Sequence, residues 1–452
     1  MNRSIYIFFS ILFLYSCSLD TKTGIWTKNK KISEKKIDVK NKITKKKISK
    51  NTEYNSQLKI KLTKENTAKN RFFNQLTNND KKSNFDGNLK NISKYKFSKI
   101  KNFNYFEPEI IFDEKNIIFF ENNGSILKFN NLSKLIWKKN YYTKIEKKSE
   151  PILFFGKSDN KLVVADNLAN YYAIDLITGN LLWKKNNNAT FNSQIKIYEN
   201  KIYVIDFMDI LRCFSLEDGS EIWSVTTENT FIKSDKKLSI AIKDQKVIFN
   251  NSMGDISAVD INTGELLWQI PTQSSLLYEN SFSFKTSEIV IDKNSVIFSN
   301  NRDRLFSLDL STGLTNWYKE INSNIRPVIT HGLIFTITNN GFLIILDQKT
   351  GNIIRKTNIF NQTVKTKNNS KIKKIGTNIM KFSKNDEIRA IGFAVGLKNI
   401  YLTVDSGKML IIDISNGRTK SSIKIDNGII SAPFVLNNNL YVAKENSIIK
   451  LN

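Results

Sequence analysis

The chain has 452 residues, 40% of them hydrophobic and 11% aromatic, enough for a large core, which excludes a wholly disordered protein. Two cysteines and a single histidine exclude a disulfide framework and any zinc site built on histidines. The formal net charge is +27, and it is unevenly placed: residues 28–101 hold 23 Lys or Arg against 6 Asp or Glu, a net of +17.

The N-terminus opens with Arg3 and the apolar run IYIFFSILFLYS, the length of a secretory signal's apolar core and too short to span a bilayer. Leu14-Tyr15-Ser16-Cys17 resembles a bacterial lipobox. That resemblance implies a signal peptide over residues 1–16, cleavage before Cys17 and a lipid on that cysteine. Ser18, not Asp, follows, so the inner-membrane retention signal of Gram-negative lipoproteins is absent. The expected location is the outer membrane, lipid-anchored, with the body facing the periplasm. Residues 17–92 read as a Lys-rich flexible linker, since residues 28–50 carry no turn chemistry, sustained apolar period or aromatic residue. About 75 such residues can hold a folded body well away from a membrane. Their charge suits an anionic lipid or envelope surface, while nucleic acid is a partner an exported chain rarely meets.

Residues 93–452 repeat one phrase. ILKFNNLSKLIW ends at Trp137, YYAIDLITGNLLW at Trp183, LRCFSLEDGSEIW at Trp223, ISAVDINTGELLW at Trp268 and LFSLDLSTGLTNW at Trp317. Fainter copies end at Arg355 (LIILDQKTGNIIR) and run through Gly417 (LIIDISNGRTKS). The spacing, roughly 40–50 residues, fits propeller blades. Within a copy, alternating apolar residues, an Asp/Thr-Gly turn and a second apolar run predict strand, two-residue hairpin turn, strand. A further pair of β-branched runs precedes each copy, giving about four strands per unit and about eight units, an all-β eight-bladed propeller with seven blades as the alternative. The last unit lacks the phrase, so Tyr95–Ile100 is expected to supply its outer strand and close the ring. Cys213, in the apolar run LRCFSL, reads as a buried inert thiol, and His331 as a turn residue before a strand. The basic stretch 365–384 reads as a surface insertion.

The phrase resembles the tryptophan-docking repeat of pyrroloquinoline-quinone-type propellers. The match rests on Asp175, Asp260, Asp309, Asp347 and Asp413, on Gly179, Gly219, Gly264, Gly313, Gly351 and Gly417, and on the tryptophans. The resemblance implies that each Trp packs between neighbouring blades while Asp and Gly hold the turn. Quinone-dependent alcohol dehydrogenases share such repeats, but the adjacent-cysteine pair of that family cannot form from Cys17 and Cys213. Nor does any paired acid/base, calcium loop or metal-ligand spacing stand out. No catalytic, cofactor-binding or metal residue is therefore assigned, and the chain reads as no enzyme.

A lipobox followed by eight such repeats resembles the BamB family, the propeller lipoproteins of the outer-membrane β-barrel assembly machine. That resemblance implies two partners: the periplasmic domains of the central barrel-inserting subunit, and unfolded outer-membrane proteins. The family's partner-binding loop follows the third Trp phrase, which carries over to Phe231, Ile232 and Lys233 as an exposed anchor patch. Its second contact, an acidic pair, is replaced here by the differently spaced Glu279 and Glu288. The alternatives are a ligand- or polysaccharide-binding propeller, with Tyr141-Tyr142 and Tyr171-Tyr172 as stacking residues, and, more remotely, a quinone-dependent dehydrogenase.

Overall fold

The computed structural model describes residues 17–19, 26–28, 52–63, 75–79, 85–106, 109–227, 233–272, 285–360 and 388–452. It falls into two units, residues 1–49 and 50–452. In the first, Cys17–Leu19 pairs antiparallel with Trp26–Lys28. The second is an eight-bladed β-propeller. Each blade is a four-stranded antiparallel sheet, and blades 1 to 7 take their strands in chain order. They cover residues 111–139, 153–186, 196–226, 240–270, 290–319, 328–358 and 390–424. Blade 8 takes Phe434–Leu436, Asn439–Lys444 and Ser447–Leu451 from the C-terminus and Asn91–Lys96 as its outer strand.

The ring thus closes by strand addition, a few residues before the expected place. Asn91 pairs with Leu451 and Lys96 with Ser447, while residues 97–100 follow the strand. Tyr95 sets this register: it is the one fully buried residue of the strand and packs edge-on against Phe129 at 5.8 Å.

Turn chemistry divides by position. In blades 3, 4, 6 and 8 the first hairpin uses a two-residue turn with both residues left-handed, such as Asp244-Gln245 (φ 49° and 57°) and Asn437-Asn438 (47° and 57°). The expectation of such a turn in the repeated phrase is corrected. There the Gly179 N–H bonds back to the Asp175 carbonyl at 2.9 Å, a wider turn in which only Gly179 is left-handed (φ 70°). The cause is Asp175, whose Oδ1 accepts the Ile177 and Thr178 N–H groups at 3.1 and 2.7 Å and keeps the intervening residues right-handed. A bulge precedes the turn in seven blades, for example between Ala258 and Val259.

The same turn builds the seams between blades. A Cβ on Gly179, Gly219, Gly264, Gly313 or Gly351 would lie 2.5–2.9 Å from the indole of Trp137, Trp183, Trp223, Trp268 or Trp317 of the preceding blade, so glycine is required by contact as well as by φ. Trp183, Trp268 and Trp317 also donate from Nε1 to Leu216, Leu310 and Gln348 carbonyls at 3.1–3.2 Å. Each acceptor directly follows the turn's first residue. At the blade 6/7 seam Arg355 takes the Trp position and donates to Ile414 O and Ser415 O, both at 2.8 Å.

Part of the stretch read as linker lies on the ring. Tyr54 exchanges two main-chain hydrogen bonds with Lys356 (3.0 and 2.9 Å), and the Ile60 N–H reaches Ser415 O at 2.9 Å. Phe85 is fully buried and packs against Tyr401 with ring centroids 5.0 Å apart. Reading residues 17–92 as free linker is therefore corrected for residues 52–63, 75–79 and 85–92. Lysines interleaved with Leu58, Ile60 and Leu62 gave the segment a polar average while leaving one apolar face.

Candidate partner-binding face and central cavity

Phe231 and Ile232 lie outside the described residues, and Lys233 begins the next described segment. Lys233 is not part of an exposed patch. Its side chain is 13% exposed and its Nζ lies 2.8 Å from Asp209 Oδ2. Asp209 stands left-handed (φ 64°) in the turn between the second and third strands of blade 3. Its other oxygen accepts the Ser252 N–H and hydroxyl of blade 4 at 2.8 and 2.7 Å. Lys233 thus ties the base of the inter-blade loop to turns of two blades. Its charge is matched there by Asp209.

The same turn carries a feature the sequence reading missed. Phe207 and Met208, between Asp206 and Asp209, are 44% and 42% exposed. The signal was available: two large apolar residues in a turn, bracketed by carboxylates that hold its backbone. Asp206 Oδ1 accepts the Met208 and Ile210 N–H groups at 2.9 and 3.2 Å, and Arg212 grips Oδ2 at 2.7 Å. A rigid turn presenting Phe and Met is chemically an apolar anchor.

The first strands of the blades surround a central cavity of about 2210 Å³. Its wall is charged. Glu288 faces Arg326 at 3.3 Å, and Lys237 reaches Glu109 at 2.5 Å. Burial pushes the Glu288 carboxyl up, but Arg326, Lys237, Lys236 and Lys196 outweigh it and hold the group at about 2. Burial depresses Lys196 to about 8. Glu288 is thus placed in the cavity and engaged by cations, and Glu279 lies outside the described residues.

The remaining candidates pack. Tyr142, Tyr171 and Tyr172 are 5%, 7% and 0% exposed, and Tyr142 donates to Asp166 Oδ2 at 2.6 Å. They have no free faces for stacking on a sugar. His331 is the left-handed turn residue (φ 54°) before Leu333–Ile337, with Nε2 3.0 Å from Thr63 Oγ1. Cys213 is fully buried, and desolvation pushes its thiol up to about 12. Among the described residues no cluster of three or more His, Cys, Asp or Glu is placed to hold a metal. Cys17 lies in the short hairpin of the first unit.

Residues 122–357, from blade 1 to the outer strand of blade 6, match the family described as outer membrane protein assembly factor BamB. The outer membrane protein assembly factor BamB of Shewanella oneidensis is 23% identical over 339 residues, 67% of this chain and 82% of that protein. The crystal structure of BamB from Moraxella catarrhalis superposes with a TM-score of 0.62 at 15% identity, covering 80% of this chain and all (100%) of that one. The quinohemoprotein alcohol dehydrogenase ADHIIG of Pseudomonas putida HK5 superposes with a TM-score of 0.55 at 10% identity, covering 81% of this chain and 76% of that one. At such identities both superpositions speak for the fold alone. With its family match spanning more than half of its length, the chain belongs to the BamB family of outer membrane protein assembly factors.

Proposed function

We propose that this chain is a non-catalytic scaffold of outer-membrane β-barrel assembly, anchored in the outer membrane by a lipid on Cys17 and facing the periplasm. Its partner is the periplasmic part of the central barrel-inserting subunit, with unfolded outer-membrane proteins as the clients. The family match over residues 122–357 carries this reading, because it includes blade 3 and the loop after it. That face supplies a reason for binding: Phe207 and Met208 stand exposed on a turn braced by Asp206, Asp209, Arg212 and Lys233. Phe231 and Ile232, which lie outside the described residues, are the further apolar contacts of this reading. Burial of Tyr142, Tyr171 and Tyr172 leaves only the half-buried Tyr141 of the two pairs, which weighs against a saccharide-binding reading.

The test is a detergent extraction of tagged protein from envelopes, with mass spectrometry of what co-purifies. A large outer-membrane barrel protein with periplasmic repeat domains is expected with the unsubstituted chain. It should be lost with Phe207→Glu/Met208→Glu and with Ile232→Glu. Absence of any such protein from the unsubstituted sample overturns the reading. Metabolic labelling with a palmitate analogue, lost in Cys17→Ser, checks the anchor.

A further inference from the structure

We propose that the cavity wall between the inner strands of blades 3, 4 and 5 is a peptide-recognition site. It takes a short helical turn with an apolar residue two positions before a left-handed residue bearing a carboxamide, and residues 75–79 of this chain fill it in cis. The site requires only the ring, so it stands apart from the assembly role.

The geometry of Asn78 is the strongest indication. The residue is 4% exposed although it comes from a Lys- and Asn-rich stretch. Its Nδ2 lies 2.9 Å from both Ile240 O and Ile289 O, 3.1 Å from Gln194 Oε1 and 3.4 Å from Ser239 Oγ. Its Oδ1 accepts from Lys196 Nζ at 2.5 Å. Acceptors surround the NH₂ end and a cation meets the oxygen, which is the complement of a carboxamide. An Asp in its place would set a carboxylate oxygen against two main-chain carbonyls. An aliphatic side chain would remove the donor to Ile240 O and Ile289 O and the acceptor for Lys196 Nζ.

The ring holds this pocket ready through its own bonds. Gln194 Oε1 is fixed as an acceptor by the Ile240 N–H at 3.0 Å and the Ser239 hydroxyl at 3.2 Å. Ser239 Oγ in turn accepts the Ile289 N–H at 2.9 Å. The other contacts are those of a bound peptide. Ile291, on the inner strand of blade 5, donates its N–H to the Thr77 carbonyl of that turn at 2.9 Å. Lys196 reaches Gln75 O at 2.5 Å, and Asn79 Nδ2 donates to Asp292 Oδ1 at 3.1 Å. Leu76, 4% exposed, joins the apolar cluster of Tyr203, Ile205 and Ile242. A mere filler would be apolar throughout; this occupant is held by main-chain bonds, one apolar side chain and a carboxamide. Because it is tethered, its effective concentration is on the order of 1 mM, so the site's intrinsic Kd lies below that.

The experiment uses the full chain with the cis segment disarmed by Leu76→Ser/Asn78→Asp. A fluorescent peptide with the sequence of residues 73–80 is titrated against it and followed by anisotropy. The disarmed chain should bind at least tenfold more tightly than the unsubstituted one. Binding should weaken at least tenfold when the peptide carries Asp for Asn78, or when Gln194→Leu is added to the protein. Failure of the disarmed chain to bind more tightly, with its β circular dichroism intact, overturns the proposal. Should the disarmed chain not fold, Asn79→Cys/Asp292→Cys in the otherwise unsubstituted chain reads the same equilibrium through disulfide closure. Excess peptide slowing closure tenfold supports the site, and an unchanged rate overturns it.

Discussion

At the junction of blades 4 and 5, Trp268 lays its indole on Gly313 and donates its single N–H to Leu310 O at 3.2 Å. At the junction of blades 6 and 7 the same seat holds Arg355, over Gly417, with its guanidinium on Ile414 O and Ser415 O. An indole needs one acceptor and contributes a large apolar area. A guanidinium has five donors to satisfy and no apolar face to match. Arg355 is fully buried with no ion-paired carboxylate among the described residues, and burial pulls it down to about 10, with Asp413 pushing the other way. Its third acceptor, Leu58 O at 3.1 Å, comes from outside the repeats. The Trp seam is complete within two blades, whereas the Arg seam needs residues 52–63 as a third member.

Removing the indole is the sharpest way to break the first seam. Trp268→Ala should cost about 3–5 kcal/mol in denaturant unfolding, through lost burial and the cavity it leaves. A loss below about 1 kcal/mol would mean that the blades are held by their strands alone. Gly313→Ala attacks the partner of that indole. It adds a Cβ 2.7 Å from Trp268 at a φ of +74°, and should cost about 2–4 kcal/mol from clash and left-handed strain together. Gly332→Ala is its control, with φ +69° but nothing within 4 Å of the new Cβ, and should show only the strain, about 1–2 kcal/mol.

Arg355→Trp tests whether the second seam is the first in another guise. The indole can take Ile414 O but not Leu58 O, so stability should change by less than about 1.5 kcal/mol. Limited proteolysis within residues 52–63 should nonetheless accelerate severalfold. Unchanged cleavage would separate that segment from the seam. The smallest effect is expected at the seam of blades 3 and 4. There the Tyr203 hydroxyl already occupies Ile261 O at 3.2 Å, and Trp223 Nε1 has no partner among the described residues. Tyr203→Phe frees that carbonyl for the indole, so thermal unfolding should register a loss of under about 0.5 kcal/mol.

The propeller was legible because one phrase carries Asp, Gly and Trp and recurs at nearly constant spacing, so the Trp of one copy meets the Gly of the next, and a defect in one copy is corrected by the others. Arg355 was visible as a departure from the phrase, but its meaning was not, since Leu58 lies far away in sequence. The same physics hid Asn78: its partners Gln194, Ser239, Ile240 and Ile289 come from three blades, and nothing in NQLTNN marks a buried carboxamide. Lys233 illustrates the opposite error, where a basic residue in a loop suggested exposure and Asp209 had already claimed it. Side-chain periodicity reports which face is apolar, and it is silent about polar groups satisfied over long range.

The strand that closes the ring has a consequence for how the molecule comes together. Asn91–Lys96 can pair only when Ser447–Leu451 is available, so the earliest strand of the propeller waits for the last, across nearly the whole ring. Such closure is a high-contact-order step and sets a late, slow event in folding. Meanwhile the waiting segment is an unpaired edge that another chain could capture. Its sequence, NISKYK, is suited to that wait: Asn91, Lys94 and Lys96 line the exposed positions beside a single exposed Ile92, and only Tyr95 is reserved for the core. The strand is kept too polar to aggregate and retains one aromatic side chain by which its proper neighbours recognise it.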